Sequence, residues 1–265
     1  MSAFSFDTLK GFFASREINQ RQEKIADILA SADADIVALQ EIHTYFVLKL
    51  LRSKLTSYPH VIYKKFLYGP KGGLVTFSKL PLEEVKYTNF QKRGSLFNTS
   101  FIARVTRNGI LSCKLKTLPI YVLNTHASPN LDHDHSENNR FVKYIVTQLN
   151  QIAKFTNQLS SNKQAVIVAG DLNTGKDSDS YKNFIKKANL TDVFSKFSYP
   201  TQHQEFLPKN KTVKCIDYIF VGSDNAKINV LRTSYLFTKK YLLKKGKLRY
   251  LSDHIGLKAD FNFQF

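Results

Sequence analysis

The chain has 265 residues, of which 43% are hydrophobic and 23% are charged, and this balance is typical of a globular rather than a disordered protein. Its two cysteines, Cys113 and Cys215, are too few for a disulfide scaffold or a four-cysteine zinc site. Lys and Arg number 39 against 21 Asp and Glu, so the net charge is +18. This excess favours a polyanionic partner, such as nucleic acid, an anionic membrane face or a phosphorylated small molecule. A lysine-rich composition without any partner would give the same charge.

The sequence contains no apolar run of about 18 residues, which is the length that a membrane-spanning helix needs. Its first residues, Met-Ser-Ala-Phe-Ser-Phe-Asp, lack the basic segment followed by an apolar segment that marks a secretory signal. We therefore expect a cytoplasmic protein without a transmembrane segment, and we expect it to be a monomer.

Short apolar runs alternate with amphipathic stretches along the whole chain, without a linker, repeat or low-complexity tract. Helical spacing of apolar residues predicts four helices, which begin near Ile18, cover about 44–55, run from Glu137 to Phe155 and lie around 180–188. Strand-like runs lie at 35–41, 61–65, 74–78, 85–90, 101–106, 120–126, 165–170, 216–221, 228–237 and 255–263. This pattern favours an α/β (α+β) protein in which two packed sheets carry helices on their outer faces.

Polar residues that strands do not require cluster at the ends of these runs. Five such groups occur in chain order: Gln40-Glu41, Asn124-Thr-His126, Gly170-Asp-Leu-Asn173, Asp217 and Ser252-Asp-His254. Each group alone is typical of an ordinary turn or cap, but strand ends at one edge of a sandwich converge in space. Together they supply carboxylates, amides and two histidines, without a Ser or Cys nucleophile beside a base. This inventory suits metal-assisted hydrolysis, in which carboxylates hold a hard cation and a histidine handles the proton.

The ordered set resembles the endonuclease/exonuclease/phosphatase superfamily, which includes deoxyribonucleases, abasic-site endonucleases, neutral sphingomyelinases and inositol-phosphate phosphatases. The segment Gly73-Leu-Val-Thr-Phe-Ser-Lys-Leu-Pro81 is similar to another motif of that superfamily. The resemblance covers almost the whole chain and implies a single domain over residues 1–265. It also implies a four-layer α-β-β-α sandwich, with two mixed, mostly antiparallel sheets and a phosphoesterase site at one end.

The resemblance implies a Mg²⁺ site, with Mn²⁺ as a substitute. Glu41 would be the principal ligand, because a hard cation needs a carboxylate on a rigid strand, and Asp253 would complete the site. The chain departs from the superfamily in the first strand, where relatives carry Asn and this sequence has Asp7. Asp7 would ligate the metal directly, or it would repel a substrate phosphate when metal is absent. A shift of register would instead leave Asp7 peripheral.

The resemblance also implies the catalytic roles. Asp171 would orient the attacking water, and Asn173 would donate hydrogen bonds to the phosphoryl oxygens. His254 would act as general base or phosphate ligand, with its tautomer held by Asp217. His126 would protonate the leaving oxygen or stabilise the transition state.

Further residues are candidates for substrate binding. Arg140 lies on the third predicted helix, where such residues recur in the superfamily, and Asn124 belongs to the strand-end group Asn124-Thr-His126. The stretch from Leu236 to Arg249 interleaves basic and apolar side chains, so Lys244, Lys245 and Lys247 would follow phosphates, face an anionic lipid surface or protect a solvated edge hairpin. We interpret His43 as a surface histidine and 132–135, Asp-His-Asp-His, as an exposed loop.

The substrate class stays open. The segment 125–129, Thr-His-Ala-Ser-Pro, is similar to deoxyribonucleases, whereas 250–257, Tyr-Leu-Ser-Asp-His-Ile-Gly-Leu, is similar to sphingomyelinase-like members. The positive charge favours a nucleic-acid phosphodiesterase first and a phospholipid phosphodiesterase second, ahead of a phosphatase for inositol or other small phosphates. A non-enzymatic alternative is a basic binding module whose site Asp7 disables.

Overall fold

The computed structural model describes residues 1–8, 17–91, 107–160, 164–196, 199–243 and 246–265. Four helices in these ranges are α1 (Ile18–Ala32), α2 (Tyr45–Lys54), α3 (Arg140–Ser160) and α4 (Asp179–Ala188). The first seven strands are β1 (Ser2–Asp7), β2 (Ile36–Gln40), β3 (His60–Ile62), β4 (Val75–Ser78), β5 (Leu82–Asn89), β6 (Gly109–Leu115) and β7 (Ile120–His126). The others are β8 (Ala165–Asp171), β9 (Thr191–Asp192), β10 (Asp217–Gly222), β11 (Lys227–Leu236), β12 (Tyr241–Leu243), β13 (Lys247–Arg249) and β14 (Gly256–Gln264).

The strands form two six-stranded sheets and a separate two-stranded ribbon. The first sheet has the order β11-β14-β1-β2-β4-β3, and the second has the order β5-β6-β7-β8-β10-β9. Each sheet contains one parallel pair, β1 with β2 and β7 with β8, while its other pairs are antiparallel. Among the described residues, strands β12 and β13 pair with each other and with no other strand.

Three hydrophobic clusters show how these layers are held together. One joins α1 and α2 to the outer face of the first sheet, for example through Leu29 and Phe77. A second joins α3 and α4 to the outer face of the second sheet, for example through Leu149 and Phe220. The third lies between the two sheets and consists largely of Ala, Val, Ile and Leu. The predicted four-layer sandwich is therefore confirmed.

The predicted elements agree with the structure in most places. All four predicted helices are present, and 120–126 is a strand over its full predicted length. The predicted run 61–65 ends at Ile62, because Lys65 turns away to bridge Pro70. Strand β6 is absent from the predicted runs, and the predicted strand 101–106 lies outside the described residues.

A glycine in the centre of the second sheet makes one feature of this packing testable. Gly170 has a φ of +153°, and a Cβ at this position would lie 1.8 Å from the carbonyl oxygen of Thr125 on β7. We expect Gly170→Ala to lower the free energy of unfolding by about 3 kcal/mol or more, because the backbone of a central strand would have to move.

Gly246→Ala is the matched control for that substitution. Gly246 has a φ of +69°, but a Cβ at this position would meet no atom within 4 Å, so the loss should be only about 1 kcal/mol. Urea unfolding of both variants would measure the difference. Equal losses would show that the contact with Thr125 is not what requires glycine at 170.

Candidate active site

Side chains alternate between the two faces of a strand, and this alternation makes the polar residues face the layer between the sheets. On β8, Ala165, Ile167 and Ala169 belong to the cluster between the sheets, and Asp171 continues the same face two residues later. The same rule applies to the other strands, because side chains two residues apart share a face. It places six polar side chains at one end of the middle layer: Asp7, Gln40, Asn124, His126, Asp171 and Asp217.

Strand register then sets these residues side by side. His126 is paired with Asp171 across β7 and β8, and Asp171 is paired with Asp217 across β8 and β10. In the other sheet Asp7 is paired with Gln40. The site is therefore built on the ends of central strands, which are the most rigid elements of the fold.

Two overlapping groups of side chains have the spacing of a metal site. Asp7, His126 and Asp171 form one group, and Asp171, Asp217 and His254 form the other. Within each group, one potential ligand atom per residue lies within 4.8 Å of the others. Asp171 belongs to both groups and so links the two sheets at the site.

Asp7 has the environment of a metal-binding carboxylate. Both of its carboxylate oxygens are buried, and neither has a hydrogen-bond partner among the described residues. Burial raises the pKa of Asp7 well above its ordinary value, and the negative charges of Glu41 and Asp171 raise it further. A divalent cation would supply the missing counter-charge. These donors fit a hard cation such as Mg²⁺ or Mn²⁺, which prefers carboxylate oxygens.

Asp171 is held in place by the turn that follows it. Asn173 donates its backbone N–H to Oδ1 of Asp171 at 2.6 Å and its side-chain amide to Oδ2 at 3.1 Å. Asn173 has a φ of 50°, which turns the chain back toward Asp171. Burial and the neighbouring Asp217 raise the pKa of Asp171 well above its ordinary value. The amide of Asn173 also donates to the carbonyl of Ala127, so a phosphoryl contact would have to replace one of these bonds.

His126 lies between two of the carboxylates. Its Nε2 is 3.9 Å from Oδ2 of Asp7 and 3.7 Å from Oδ2 of Asp171. Burial lowers the pKa of His126 to about 3, and the nearby His43 and His254 contribute to this shift. His126 is therefore neutral at pH 7 and can act there as a hydrogen-bond donor.

His254 has the opposite charge state. Its Nδ1 lies 2.9 Å from Oδ2 of Asp217. Burial alone would lower the pKa of His254, but the charges of Asp217 and Asp253 outweigh this effect and raise it well above its ordinary value. His254 is therefore an imidazolium at neutral pH in the metal-free protein, with a positive charge suited to an anionic ligand.

Glu41 and Asp253 flank these groups. Glu41 directly follows β2 with a φ of 60°, is partly exposed, and is close enough to Asp7 for its charge to raise the pKa of Asp7. Asp253 is buried, and its Oδ2 lies 4.0 Å from Nε2 of His254. Neither residue belongs to the two groups with metal-site spacing.

The predicted substrate-binding residues are scattered. Asn124 is completely buried, and it accepts a hydrogen bond from Gln40 at 2.7 Å and donates to the carbonyls of Leu39 and Val75. The prediction of substrate contact by Asn124 is therefore corrected, because the amide instead joins the two sheets beneath the site. Arg140 lies exposed at the start of α3, 4.0 Å from Asp132.

The basic stretch before the last strand is a ribbon. Lys247 is exposed on β13, whereas Lys244 and Lys245 lie outside the described residues. The interpretation of 132–135 as an exposed loop holds only in part, since His135 is partly buried and accepts a hydrogen bond from the backbone of Gly175.

Sequence reasoning missed two residues beside the site. Thr201 is fully buried, and its hydroxyl accepts hydrogen bonds from the backbone N–H groups of Ile216 and Asp217. Its loop carried no signal that could have shown this contact. His43 is half-buried rather than fully exposed: its ring lies against Gly73, and burial lowers its pKa to about 4. The adjacent Gln40-Glu41 pair was the available signal.

The fold and the site together point to one protein family. Residues 9–254 match the model of the Endonuclease/Exonuclease/phosphatase family, and the chain belongs to that family. Members of the family are phosphoester hydrolases that depend on a divalent metal. None of the helices in the described ranges is long and apolar enough to cross a membrane.

The similar proteins include both sphingomyelinases and TDP2. A putative neutral sphingomyelinase from Drosophila melanogaster is 25% identical over 260 residues, which cover 93% of this chain and 57% of that protein. Sphingomyelinase C from Streptomyces griseocarneus matches with a TM-score of 0.70 at 18% identity, over 97% of this chain and 98% of its own. A humanized TDP2 from D. rerio matches with a TM-score of 0.71 at 18% identity, over 99% of this chain and 98% of its own. The two solved structures show a shared fold.

The pairing of Asp217 with His254 yields a prediction. We expect Asp217→Asn and His254→Ala each to reduce phosphodiester hydrolysis by roughly 10²- to 10⁴-fold, and the double variant to be little slower than either single one. Asp217→Asn should also lower the pKa of His254, because it removes the carboxylate that stabilises the imidazolium. Steady-state rates and an NMR titration of the imidazole in chelator would measure both effects.

Asp177→Asn serves as the control for that cycle, since Asp177 is a largely exposed carboxylate that pairs with Lys214. Additive losses of rate, or an unchanged pKa of His254, would show that the two residues act independently.

The unpartnered carboxylate of Asp7 yields a second prediction. Asp7→Asn should leave the enzyme active but raise the half-maximal Mg²⁺ concentration roughly tenfold, because one charged ligand is lost. The raised pKa of Asp7 means that protons compete with the cation, so metal affinity in the wild type should fall as pH decreases. This pH dependence should be shallower in the variant. Calorimetric Mg²⁺ titrations at several pH values would test this, and unchanged affinity would place Asp7 outside the metal site.

Proposed function

We propose that this protein is a Mg²⁺-dependent phosphodiesterase that hydrolyses the headgroup phosphodiester of a phospholipid. The observation that carries the phosphodiesterase assignment is the pair of overlapping groups, Asp7–His126–Asp171 and Asp171–Asp217–His254. They combine buried oxygen donors, a neutral imidazole and an imidazolium in one site. Hydrolysis of a phosphodiester requires this combination of anionic and donor groups around the phosphorus.

Each residue in the site has a distinct task in this proposal. Asp171, fixed by Asn173, accepts a hydrogen bond from the attacking water and orients it toward phosphorus. His254 binds a non-bridging phosphate oxygen through its positive charge, and Asp217 keeps it charged. His126, neutral at pH 7, donates a hydrogen bond to the lipid alcohol oxygen as the bond from that oxygen to phosphorus breaks. The water oxygen forms the new bond to phosphorus and releases one proton to Asp171, which passes it to solvent. The departing lipid oxygen takes up a proton from solvent, so the products are the lipid alcohol and the headgroup phosphomonoester.

Asp7 and Glu41 would hold the cation, together with Asp171 and Asp253. When bound, Mg²⁺ supplies positive charge that stabilises the phosphoryl oxygens as negative charge accumulates on them. Burial and, after it, repulsion among the carboxylates raise the pKa of Asp7 and of Asp171. This supports the assignment, because a divalent cation would supply the missing counter-charge.

The phospholipid as substrate is supported by similarity. The putative neutral sphingomyelinase from Drosophila melanogaster aligns with 93% of this chain. The ribbon β12–β13 also suits a lipid surface, because Leu242 and Leu248 are paired across it and each is 59% exposed, with Lys247 beside them. This support changes the order given by charge alone, which placed nucleic acid first.

Nucleic acid is the second candidate substrate. It is favoured by the net charge of +18, which would attract any polyphosphate backbone.

The experiment that tests the proposal is a substrate panel run with Mg²⁺ and with EDTA. The substrates are sphingomyelin and phosphatidylcholine in vesicles, supercoiled DNA, RNA, inositol phosphates and bis-p-nitrophenyl phosphate. We expect vesicle lipid to be hydrolysed fastest, EDTA to abolish activity, and Glu41→Gln to reduce it by orders of magnitude. Faster cleavage of DNA or RNA would select the second candidate. Activity that persists in EDTA would contradict the metal mechanism, and inactivity on every substrate would favour a binding module.

A further inference from the structure

A cluster of exposed apolar side chains lies next to the site, on a part of the chain that the proposed reaction does not use. We call it the tip surface: Tyr45, Phe46, Leu67 and Tyr68. Leu67 and Tyr68 are 74% and 75% exposed, Phe46 is 58% exposed and Tyr45 is 36% exposed. Burying apolar side chains is favourable, so a cluster of them at one place in water indicates a contact surface.

The exposure of the tip surface is imposed by defined hydrogen bonds. The hydroxyl of Tyr45 donates to the carbonyl of Phe66 at 2.7 Å and accepts from its N–H at 3.1 Å. The N–H of Tyr45 donates to the carbonyl of Tyr68 at 3.1 Å. These bonds fix the turn at both sides of Leu67, so that Leu67 and Tyr68 project outward together with the first turn of α2.

The same loop is tied to the catalytic carboxylates. After the tip, the chain returns through Gly69 and Gly73, and the carbonyl of Gly73 accepts a hydrogen bond from the N–H of Ile42 at 2.9 Å. A Cβ at Gly73 would lie 2.9 Å from Cα of Glu41, and one at Gly69 would lie 2.3 Å from the carbonyl oxygen of His43. Glycine thus allows the loop to press against the segment that carries Glu41. Any partner that binds the tip surface would therefore lie beside the site.

Basic side chains flank the tip surface along the chain. Residues 42–82 contain no Asp or Glu and seven basic side chains, of which Lys54 and Lys79 pair with Asp27 and Asp33. Lys64 and Lys65 are exposed immediately before the tip. Lys71 and Arg107 approach the ring of Phe66, with their charged groups 5.9 Å and 5.4 Å from its centroid. An apolar tip with basic neighbours matches a bilayer that has an apolar interior and anionic headgroups.

We propose that the tip surface docks the protein onto a lipid bilayer that contains anionic lipids, with Leu67, Tyr68 and Phe46 entering the interface and Lys64 and Lys65 contacting headgroups. This inference rests on the proposed function, because docking on a bilayer would bring the site to a phospholipid substrate. Phe46 and Tyr68 could also stack on bases, so nucleic acid is the alternative occupant that the test must separate. The highly exposed aliphatic side chain of Leu67, which offers no stacking face, favours the bilayer.

The test is binding to vesicles in EDTA, where the proposed hydrolysis is stopped. Vesicles of phosphatidylcholine, with and without phosphatidylserine, are sedimented with the full chain. We expect binding to the vesicles with phosphatidylserine, and the double variant Leu67→Ser/Tyr68→Ser should weaken it by about tenfold or more. Lys64→Gln/Lys65→Gln should weaken binding chiefly to vesicles that contain phosphatidylserine.

Leu231→Ser is the matched control. Leu231 is 67% exposed on β11, at the opposite edge of the same sheet from β3, which directly precedes the tip. The Leu231→Ser variant should bind vesicles like the wild type. Thermal unfolding should show that all the variants are folded. In Mg²⁺, the ratio of the rate on vesicle lipid to the rate on bis-p-nitrophenyl phosphate should fall for Leu67→Ser/Tyr68→Ser and stay unchanged for Leu231→Ser.

The outcomes separate this inference from the proposed function. Failure of the wild type to bind vesicles, or equal binding by Leu67→Ser/Tyr68→Ser and the wild type, would overturn the docking surface. Loss of duplex DNA binding in that variant with unchanged vesicle binding would overturn it in favour of nucleic acid. The expected binding pattern, combined with no hydrolysis of lipid by the wild type in Mg²⁺, would support docking while contradicting the proposed substrate.

Discussion

The structure depends on a concentration of buried carboxylates at one end of the layer between the two sheets. Asp7, Asp171 and Asp217 are each about 2% exposed or less. Burial raises the pKa values of Asp7 and Asp171, and repulsion from the neighbouring carboxylates raises them further. His254 offsets part of this repulsion as a cation. The remaining excess of negative charge defines what the site can bind, namely a hard cation.

The fold holds this unfavourable arrangement through the strands beneath it. Gln40 and Asn124 join the two sheets by a buried hydrogen bond of 2.7 Å directly below the carboxylates. Asn124 makes further bonds to the backbone of the first sheet, so its polar atoms are well satisfied. A close-packed aliphatic layer follows on the same strand faces. The charged groups therefore cannot separate without disrupting the contact between the sheets.

The negative charge of the buried site and the positive charge of the whole protein suit different tasks. The buried site is rich in carboxylates, whereas the protein as a whole has a net charge of +18. A positive exterior attracts an anionic surface or polymer, while a local negative site retains a cation against that background. The tip surface around Leu67 and the ribbon β12–β13 both add exposed apolar side chains to this positive exterior, which is the combination expected at a bilayer rather than in bulk water.

The sequence by itself determined the order of most elements and the residues at the strand ends. Short apolar runs identified β7 and β8, and the side-chain period of two along a strand puts Asp171 on the same face as Ala169. Only the tertiary structure decided which residues meet. The contacts of Thr201 with Asp217, of Asn124 with Gln40 and of Gly73 with the segment at Glu41 join positions that are far apart in the chain. Local periodicity carries no information about such pairs, because they depend on how the two sheets stack and on where the loops return.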